Sequence, residues 1–407
     1  VQLPEGDAAP EDGGLPEQVR EGAQDREFGV YLHVPYCRVR CGYCDFNTYT
    51  AEDLGTTNRA GYSAEAIAEV NFAAQVMRRA KLPPRQVHSV FFGGGTPTLL
   101  PADDLVAMLD SVRQAWGIQA DAEITTEANP DSVDREYLSR LKQGGFNRVS
   151  FGMQSAVPSV LKTLDRTHTP ERVPLVVKWA KELGFEVSLD LIFGTPWETL
   201  ENWNTSLEAA LACEPDHLSA YALIIESGTK LASQIRRGKV PEPDDDLQAD
   251  MYELADRKLT QHGYDWYEIS NWSRSAATRS KHNLAYWKGD DWWGIGPGAH
   301  SHIGGVRWWN VKHPRAYAER VSQGVSPALA REKLDPATQR EERLLLETRI
   351  REGLSLSALS ARQRCVAHEL VAEGLADASA IERGRLVPTL RGRLLADTLI
   401  HRLLSAE

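Results

Sequence analysis

Cysteine is scarce in this chain, five among 407 residues, and three of the five fall between positions 37 and 44. That leaves no disulfide framework and suits a reducing compartment. The other two, Cys213 and Cys365, are expected as small buried apolar residues. Long apolar runs are missing as well: none approaches the roughly 20 residues of a membrane-crossing helix. The first residues lack the basic-then-apolar pattern of a secretory signal. The expectation is a cytoplasmic protein, associated with membranes only through its partners. Positive charge is the minority sign, Lys+Arg 46 against Asp+Glu 57 for a net −11. This argues against a general nucleic-acid binder, because that affinity rests on cations meeting phosphates. With 42% hydrophobic and 25% charged residues the remainder is an ordinary globular composition. The length allows one large domain and a smaller one.

What is present starts with Cys37-Arg-Val-Arg-Cys41-Gly-Tyr-Cys44, a C-x3-C-x2-C run directly after an apolar segment at 29–35. Three thiolates on one loop can hold three irons of a [4Fe–4S] cluster. With no fourth local cysteine, one iron keeps an open position, as a catalytic zinc does with three protein ligands. The competing reading is a structural zinc that recruits His33. His33, however, lies in an apparent strand and shares no C-x2-C…H-x3-H spacing.

Residues 1–27 are rich in Gly, Pro, Glu and Asp and read as a flexible tail. From residue 28 short apolar strands are expected at 29–35, 87–93, 122–128, 148–154, 186–194 and 217–225. Helical stretches lie between them at 61–80, 102–116, 133–144, 170–183 and 199–213. Such alternation predicts a parallel sheet with helical crossovers. Six units fall short of the eight of a closed barrel, so the predicted fold is α/β, a partial (β/α)6 barrel over 28–230. An aromatic-rich extension at 231–335 carries most of the eleven tryptophans. These form either a core packed on the open side of the barrel or a flat apolar surface for a planar ligand. Residues 336–407 read as a small winged-helix-like α+β domain, with a two-stranded wing inside 375–390, serving as a lid or cap.

Five of the six strands end in residues that a buried strand does not need: the cysteine loop, Gly93-Gly-Gly-Thr-Pro97, Glu127-Ala-Asn-Pro130, Gln154-Ser155, and Asp190 before Gly194-Thr-Pro196. In parallel α/β folds ligands bind at the C-terminal ends of strands. The glycines at 93–95 allow close backbone approach to a ligand, or simply a tight strand-to-helix turn with a proline near the helix start.

Together these segments resemble the radical S-adenosylmethionine (SAM) enzymes, whose core is a partial (β/α)6 barrel. The resemblance implies that Cys37, Cys41 and Cys44 hold a [4Fe–4S] cluster whose open iron is chelated by the methionine moiety of SAM. It further implies that Tyr43 stacks on the adenine and that Gly94, Gly95 and Thr96 bind the methionine amino group. Tyr31, Glu127, Gln154, Arg166 and Asp190 would complete the SAM pocket. Arg166 is assigned to the carboxylate, which a guanidinium can bind in bidentate fashion.

From residue 28 onward the chain is similar to the oxygen-independent coproporphyrinogen III oxidase family. The likeness is carried by Tyr31-Leu-His-Val-Pro35, 92–98, Ser150-Phe-Gly-Met-Gln-Ser155 and Tyr267-Glu-Ile-Ser-Asn271. The true oxidases have a further cysteine two residues after the third, where this chain has Phe46. The haem-chaperone branch lacks that cysteine and carries H-N-x-x-Y-W, matched here by His282-Asn-Leu-Ala-Tyr-Trp287. This implies a protein that carries haem as cargo to client apo-haemoproteins, with membrane respiratory enzymes, a haem donor protein and a homodimer among the partners it allows. His282 would be the axial ligand, a neutral imidazole being a common donor to haem iron. Tyr286 and Trp287 would flank the macrocycle; His300 and His302 remain rival ligands. Two enzyme readings stand beside it: oxidative decarboxylation of coproporphyrinogen III, and another tetrapyrrole-directed radical SAM activity such as methylation or haem degradation.

Overall fold

The computed structural model describes residues 6–23, 25–54 and 59–406. Its main sheet has thirteen strands, beginning at one edge with Asp7–Ala8 (β1). The six expected runs become Phe28–Val34 (β2), Val87–Gly94 (β3), Ile118–Ala128 (β4), Arg148–Gln154 (β5), Glu186–Phe193 (β6) and His217–Ala222 (β7). They are parallel and neighbour one another in sequence order. Helices Tyr62–Arg79, Ala102–Trp116, Arg135–Gly144, Arg172–Glu182 and Leu200–Ala212 form the crossovers. Their ends follow from local chemistry. The Asp134 carboxylate accepts from Tyr137 N at 2.8 Å to start one helix, and left-handed Gly145 closes it at φ +103°. The fold is therefore the α/β partial barrel that the alternation predicts.

The sheet then grows at both flanks. Asp265–Glu268 (β8) and Asn271–Ser273 (β9) form an antiparallel pair that β9 joins to β7. On the other side Asp291–Ile295 (β10) runs parallel to β2. His300–Ile303 (β11), Val306–Asn310 (β12) and Ala328–Lys333 (β13) follow antiparallel. The tryptophans sit mainly within these flanks: Trp266, Trp272, Trp293, Trp308 and Trp309 are buried, and Trp293 meets Trp308 edge-on at 4.8 Å. Most of the aromatic density is thus packing, not a ligand surface.

Part of the expected flexible tail is ordered. Residues 1–5 and 24 lie outside the described residues, but β1 pairs with β13, Val19 is fully buried, and Arg331 Nη1 donates to Gly14 O at 2.9 Å. Few apolar residues suffice there because an edge strand supplies backbone partners.

Residues 336–406 pack around a core of their own that includes Leu354, Leu370, Leu386, Leu399 and Leu403. The wing differs from expectation. Its two strands are Leu354–Ser355 (β14) and Arg385–Leu386 (β15), with the helix Ala361–Ala372 between them, and Ala378–Glu382 is helical. Two-residue strands carry no readable alternation. Arg393 clamps this domain to Asp256 with two bonds of 2.8 and 2.9 Å, and helix Pro336–Glu347 backs helix Lys281–Lys288. Cys213 is half-buried and Cys365 is exposed, so the expectation of buried packing fails for Cys365. Among the described residues no helix is long and apolar enough to cross a membrane.

Candidate functional site

The C-terminal ends of β2–β7 open into a cavity of about 650 Å³. The residues expected to hold the cluster and SAM line it, and so does the first-choice haem ligand: the three cysteines, Tyr31, Tyr43, Gly94, Gly95, Thr96, Glu127, Gln154, Arg166, Asp190 and His282. The domain at 336–406 contributes no wall, so the lid expected of it is absent.

The cysteine loop is held by backbone bonds on several sides. Cys37 N donates to Tyr49 O (3.0 Å), Tyr49 N to Pro35 O (2.7 Å) and Leu231 N to Gly42 O (2.8 Å). Asn47 Nδ2 donates to the carbonyls of Pro297 (3.0 Å) and Lys312 (2.8 Å), which straps the loop to the distant flank. His33 Nε2 donates to Asn47 O at 2.9 Å, leaving Nδ1 to accept the Tyr31 hydroxyl at 3.0 Å. Both ring nitrogens are spoken for, so His33 is a strut of the loop and no metal ligand. Among the described residues no three His, Cys, Asp or Glu side chains converge on a point where one ion would sit. That disfavours a single zinc, whose ligands share one centre, whereas the irons of a cluster occupy separate corners.

The glycine run also has a reason of its own within the fold. A Cβ on Gly95 would come within 2.5 Å of Tyr36 O, and one on Gly94, at φ +107°, within 2.6 Å of the His33 ring. Thr96 N donates to Tyr36 O at 2.7 Å and Gly95 N to Val34 O at 2.8 Å. The missing side chains therefore let this turn lie against the root of the cysteine loop, which fixes the two elements to each other.

Glu127 on β4 and Asp190 on β6 stand on either side of the end of β5. Glu127 Oε2 accepts from Gly94 N at 3.2 Å, and burial, reinforced by Asp190, pushes its carboxyl up to about 8. Asp190, which accepts from Ser150 Oγ at 2.8 Å, is raised by burial as well. Two buried acids, neither in an ion pair among the described residues, fit a cationic ligand, such as the ammonium and sulfonium of SAM. Arg166 bonds Asn129 Oδ1 (2.6 Å) and Gly152 O (2.9 Å) and approaches Cys41 Sγ at 3.7 Å. Its Nε is buried with no partner, a donor that a carboxylate could satisfy. The guanidinium thus offers a ligand only part of the fork the sequence suggested.

His282 enters from the side. Its helix, Lys281–Lys288, is capped by Ser280 Oγ accepting from Asn283 N (3.2 Å) and by the Glu123 carboxylate, which receives Lys281 N (2.9 Å) and His282 N (3.3 Å). A carboxylate suits the positive end of the helix dipole. The imidazole lies face to face with Phe91 at 4.3 Å and edge-on to Tyr286 at 4.7 Å. Burial lowers its pKa to about 3, so the ring is neutral, and no hydrogen bond engages either ring nitrogen among the described residues. His302 contrasts with it: Nδ1 donates to Asp290 O (3.0 Å) and Nε2 accepts from Gly305 N (3.2 Å). Neither His302 nor His300 lines the cavity, and the Trp287 side chain bonds Glu268 instead of flanking it.

Sequence reasoning missed Phe91, Arg148, Ser188, His217 and Ser219, all of which line the cavity. A signal existed. Polar residues recur at every second position of strands that should be wholly apolar: Glu123, Thr125 and Glu127; Arg148 and Ser150; Ser188 and Asp190; His217 and Ser219. Period two puts each set on one face.

Residues 31–210 match the radical SAM superfamily profile. The chain is 47% identical over 378 residues to the haem chaperone HemW of Mycobacterium tuberculosis, covering 93% of this chain and 95% of that one. It is 35% identical to HemW of Bacillus subtilis, over 80% and 84% of the two chains. Among solved structures, the coproporphyrinogen III oxidase HemN of Escherichia coli superposes with a TM-score of 0.79 at 23% identity, covering 97% and 94%. At that identity the likeness speaks for the fold alone.

Proposed function

Since the chain belongs to the HemW family of haem chaperones within the radical SAM superfamily, we propose that it binds haem and passes it to client apo-haemoproteins. The observation that carries this reading is the neutral imidazole of His282, free of hydrogen bonds and set in the cavity wall. It is an unused donor for haem iron. Tyr286 and Phe91 hold that ring at a fixed angle and supply apolar surface beside it.

Cys37, Cys41 and Cys44 are the residues that hold the [4Fe–4S] cluster. Tyr31, Tyr43, Gly94, Gly95, Thr96, Glu127, Gln154, Arg166 and Asp190 are those that receive SAM. When bound, the cluster supplies an iron with an open position for the methionine moiety. Glu127 and Asp190 offset the ligand's positive charges, Arg166 offers its free N–H to the carboxylate, and Tyr43 covers the adenine. Membrane respiratory enzymes fit as clients, and a haem donor and a second copy of the chain fit as partners.

The test is anaerobic reconstitution with iron and sulfide, followed by haem titration read in the visible spectrum. Wild type is expected to take up a cluster and bind haem stoichiometrically, and His282→Ala to bind haem more weakly. Turnover of coproporphyrinogen III with SAM and a reductant would overturn the carrier reading. Phe46, at the position where the oxidases have cysteine, argues against that outcome.

A further inference from the structure

The candidate haem ligand and the candidate SAM residues occupy one continuous wall of one cavity. Tyr31 links the two sets. Its ring lies 5.9 Å from His282 at 21° and 6.3 Å from Phe91 at 26°. A Cβ on Gly93 would touch both the Tyr31 ring and Glu127 Oε2 at 3.1 Å. His282, Phe91, Tyr31 and Glu127 therefore follow one another with no partition between them. The opposite wall gives no second chamber. Ser188, Asp190, His217 and Ser219 all face the same space, and a floor so polar is no seat for an apolar macrocycle stored apart from the SAM residues.

A metalloporphyrin held by an imidazole lies across the axis of the iron–nitrogen bond and extends to every side of it. A macrocycle held by His282 would have to share the cavity wall with Tyr31, whose ring lies beside both His282 and Phe91, and with the neighbouring Glu127. We propose that haem on His282 and SAM on the Glu127–Asp190 side exclude each other, so that SAM is the ligand that displaces the cargo. This deepens the carrier reading and rests on it. Loading requires a SAM-free cavity; SAM binding then releases haem at the moment of transfer. By linkage the two ligands weaken each other by the same factor.

Haem is titrated into cluster-loaded protein under anaerobic conditions at several SAM concentrations, and bound haem is read from its Soret band. SAM binding is measured separately by equilibrium dialysis at several haem concentrations. The expected result is an apparent haem Kd that rises in proportion to SAM without a plateau, by about tenfold when SAM is at about ten times its own Kd, with a matching loss of SAM affinity as haem is added. His282→Ala and His282→Phe accompany the wild type, the latter keeping an aromatic ring on Phe91 while removing the donor. If both variants lose haem affinity but SAM leaves the wild-type haem Kd within twofold, the exclusion is overturned and the carrier reading stands. If haem affinity survives both substitutions, the ligand is elsewhere and the exclusion falls with the reading it rests on.

Discussion

His282 and His302 are buried to the same extent, 5% exposed each, twenty residues apart in the same aromatic-rich segment. Their surroundings are opposite. Around His302 the flank of β10–β13 gives both ring nitrogens backbone partners and packs tryptophans against one another. Around His282 the helix leaves the imidazole unpaired beside a cavity and stabilises its backbone remotely through Glu123. Burial alone therefore does not mark a functional residue. What marks His282 is a neutral imidazole without a hydrogen-bond partner among the described residues, set in the wall of a cavity where a ligand can reach it.

The contrast predicts separable effects: cavity-side changes should cost binding, and flank-side changes should cost stability. The largest effect is expected at the cysteines. Cys37→Ser, Cys41→Ser and Cys44→Ser should each abolish cluster absorbance after reconstitution while far-UV circular dichroism stays native. Unfolding of all three would make the loop structural and break the comparison. Next, Trp309→Ala on the flank, where the side chain is 1% exposed, should lower unfolding free energy by about 3–5 kcal/mol in denaturant titrations. Haem affinity of the protein that remains folded should not change. The histidine pair then gives a double dissociation. His282→Ala should weaken haem binding by about tenfold, or ~1.4 kcal/mol, with little change in stability. His302→Ala should cost about 1–3 kcal/mol of stability by orphaning Asp290 O and Gly305 N and leave haem affinity intact.

The smallest effects lie in pH dependence, where each region has its own buried acid. In the flank, Glu69 accepts from Gly296 N, Asn310 Nδ2 and Tyr317 Oη and is pushed by burial up to about 7; Glu127 in the cavity reaches about 8. Each carboxyl is raised above its ordinary value of 4.5. The native state therefore holds an extra proton that the unfolded chain has already lost, and stability falls as pH rises from 4.5 toward those values. Glu69→Gln should flatten the slope up to about 7 and Glu127→Gln up to about 8, seen in denaturation midpoints across pH. Added SAM should reduce the Glu127 part alone, since only that carboxyl faces the ligand.

Much of the barrel was legible because parallel strands buried on both faces appear as short apolar runs between amphipathic helices. The strand ends were legible because polar groups there conflict with burial. The N-terminal segment was not, since β1 holds by backbone pairing to β13, and a sequence does not announce its edge partner. Nor were the supports of the site. Glu123 positions His282 across a separation of 159 residues, and Gly94 and Gly95 leave room for His33 and Tyr36. Tryptophan density pointed to two regions at once, and the cavity beside His282 distinguishes them.

The strap at Asn47 sets the order of events during the protein's manufacture. Its two acceptors, Pro297 O and Lys312 O, lie 250 and 265 residues further along the chain. Since domains fold from the N-terminus as they emerge from the ribosome, the three cysteines appear early on a loop that still lacks its strap to the flank. Iron and sulfur offered to a half-made chain would meet three loose thiols. The expected consequence is that a cluster is retained only once the β10–β12 flank is complete, and a truncation ending before that flank should fail to hold iron and sulfide on reconstitution.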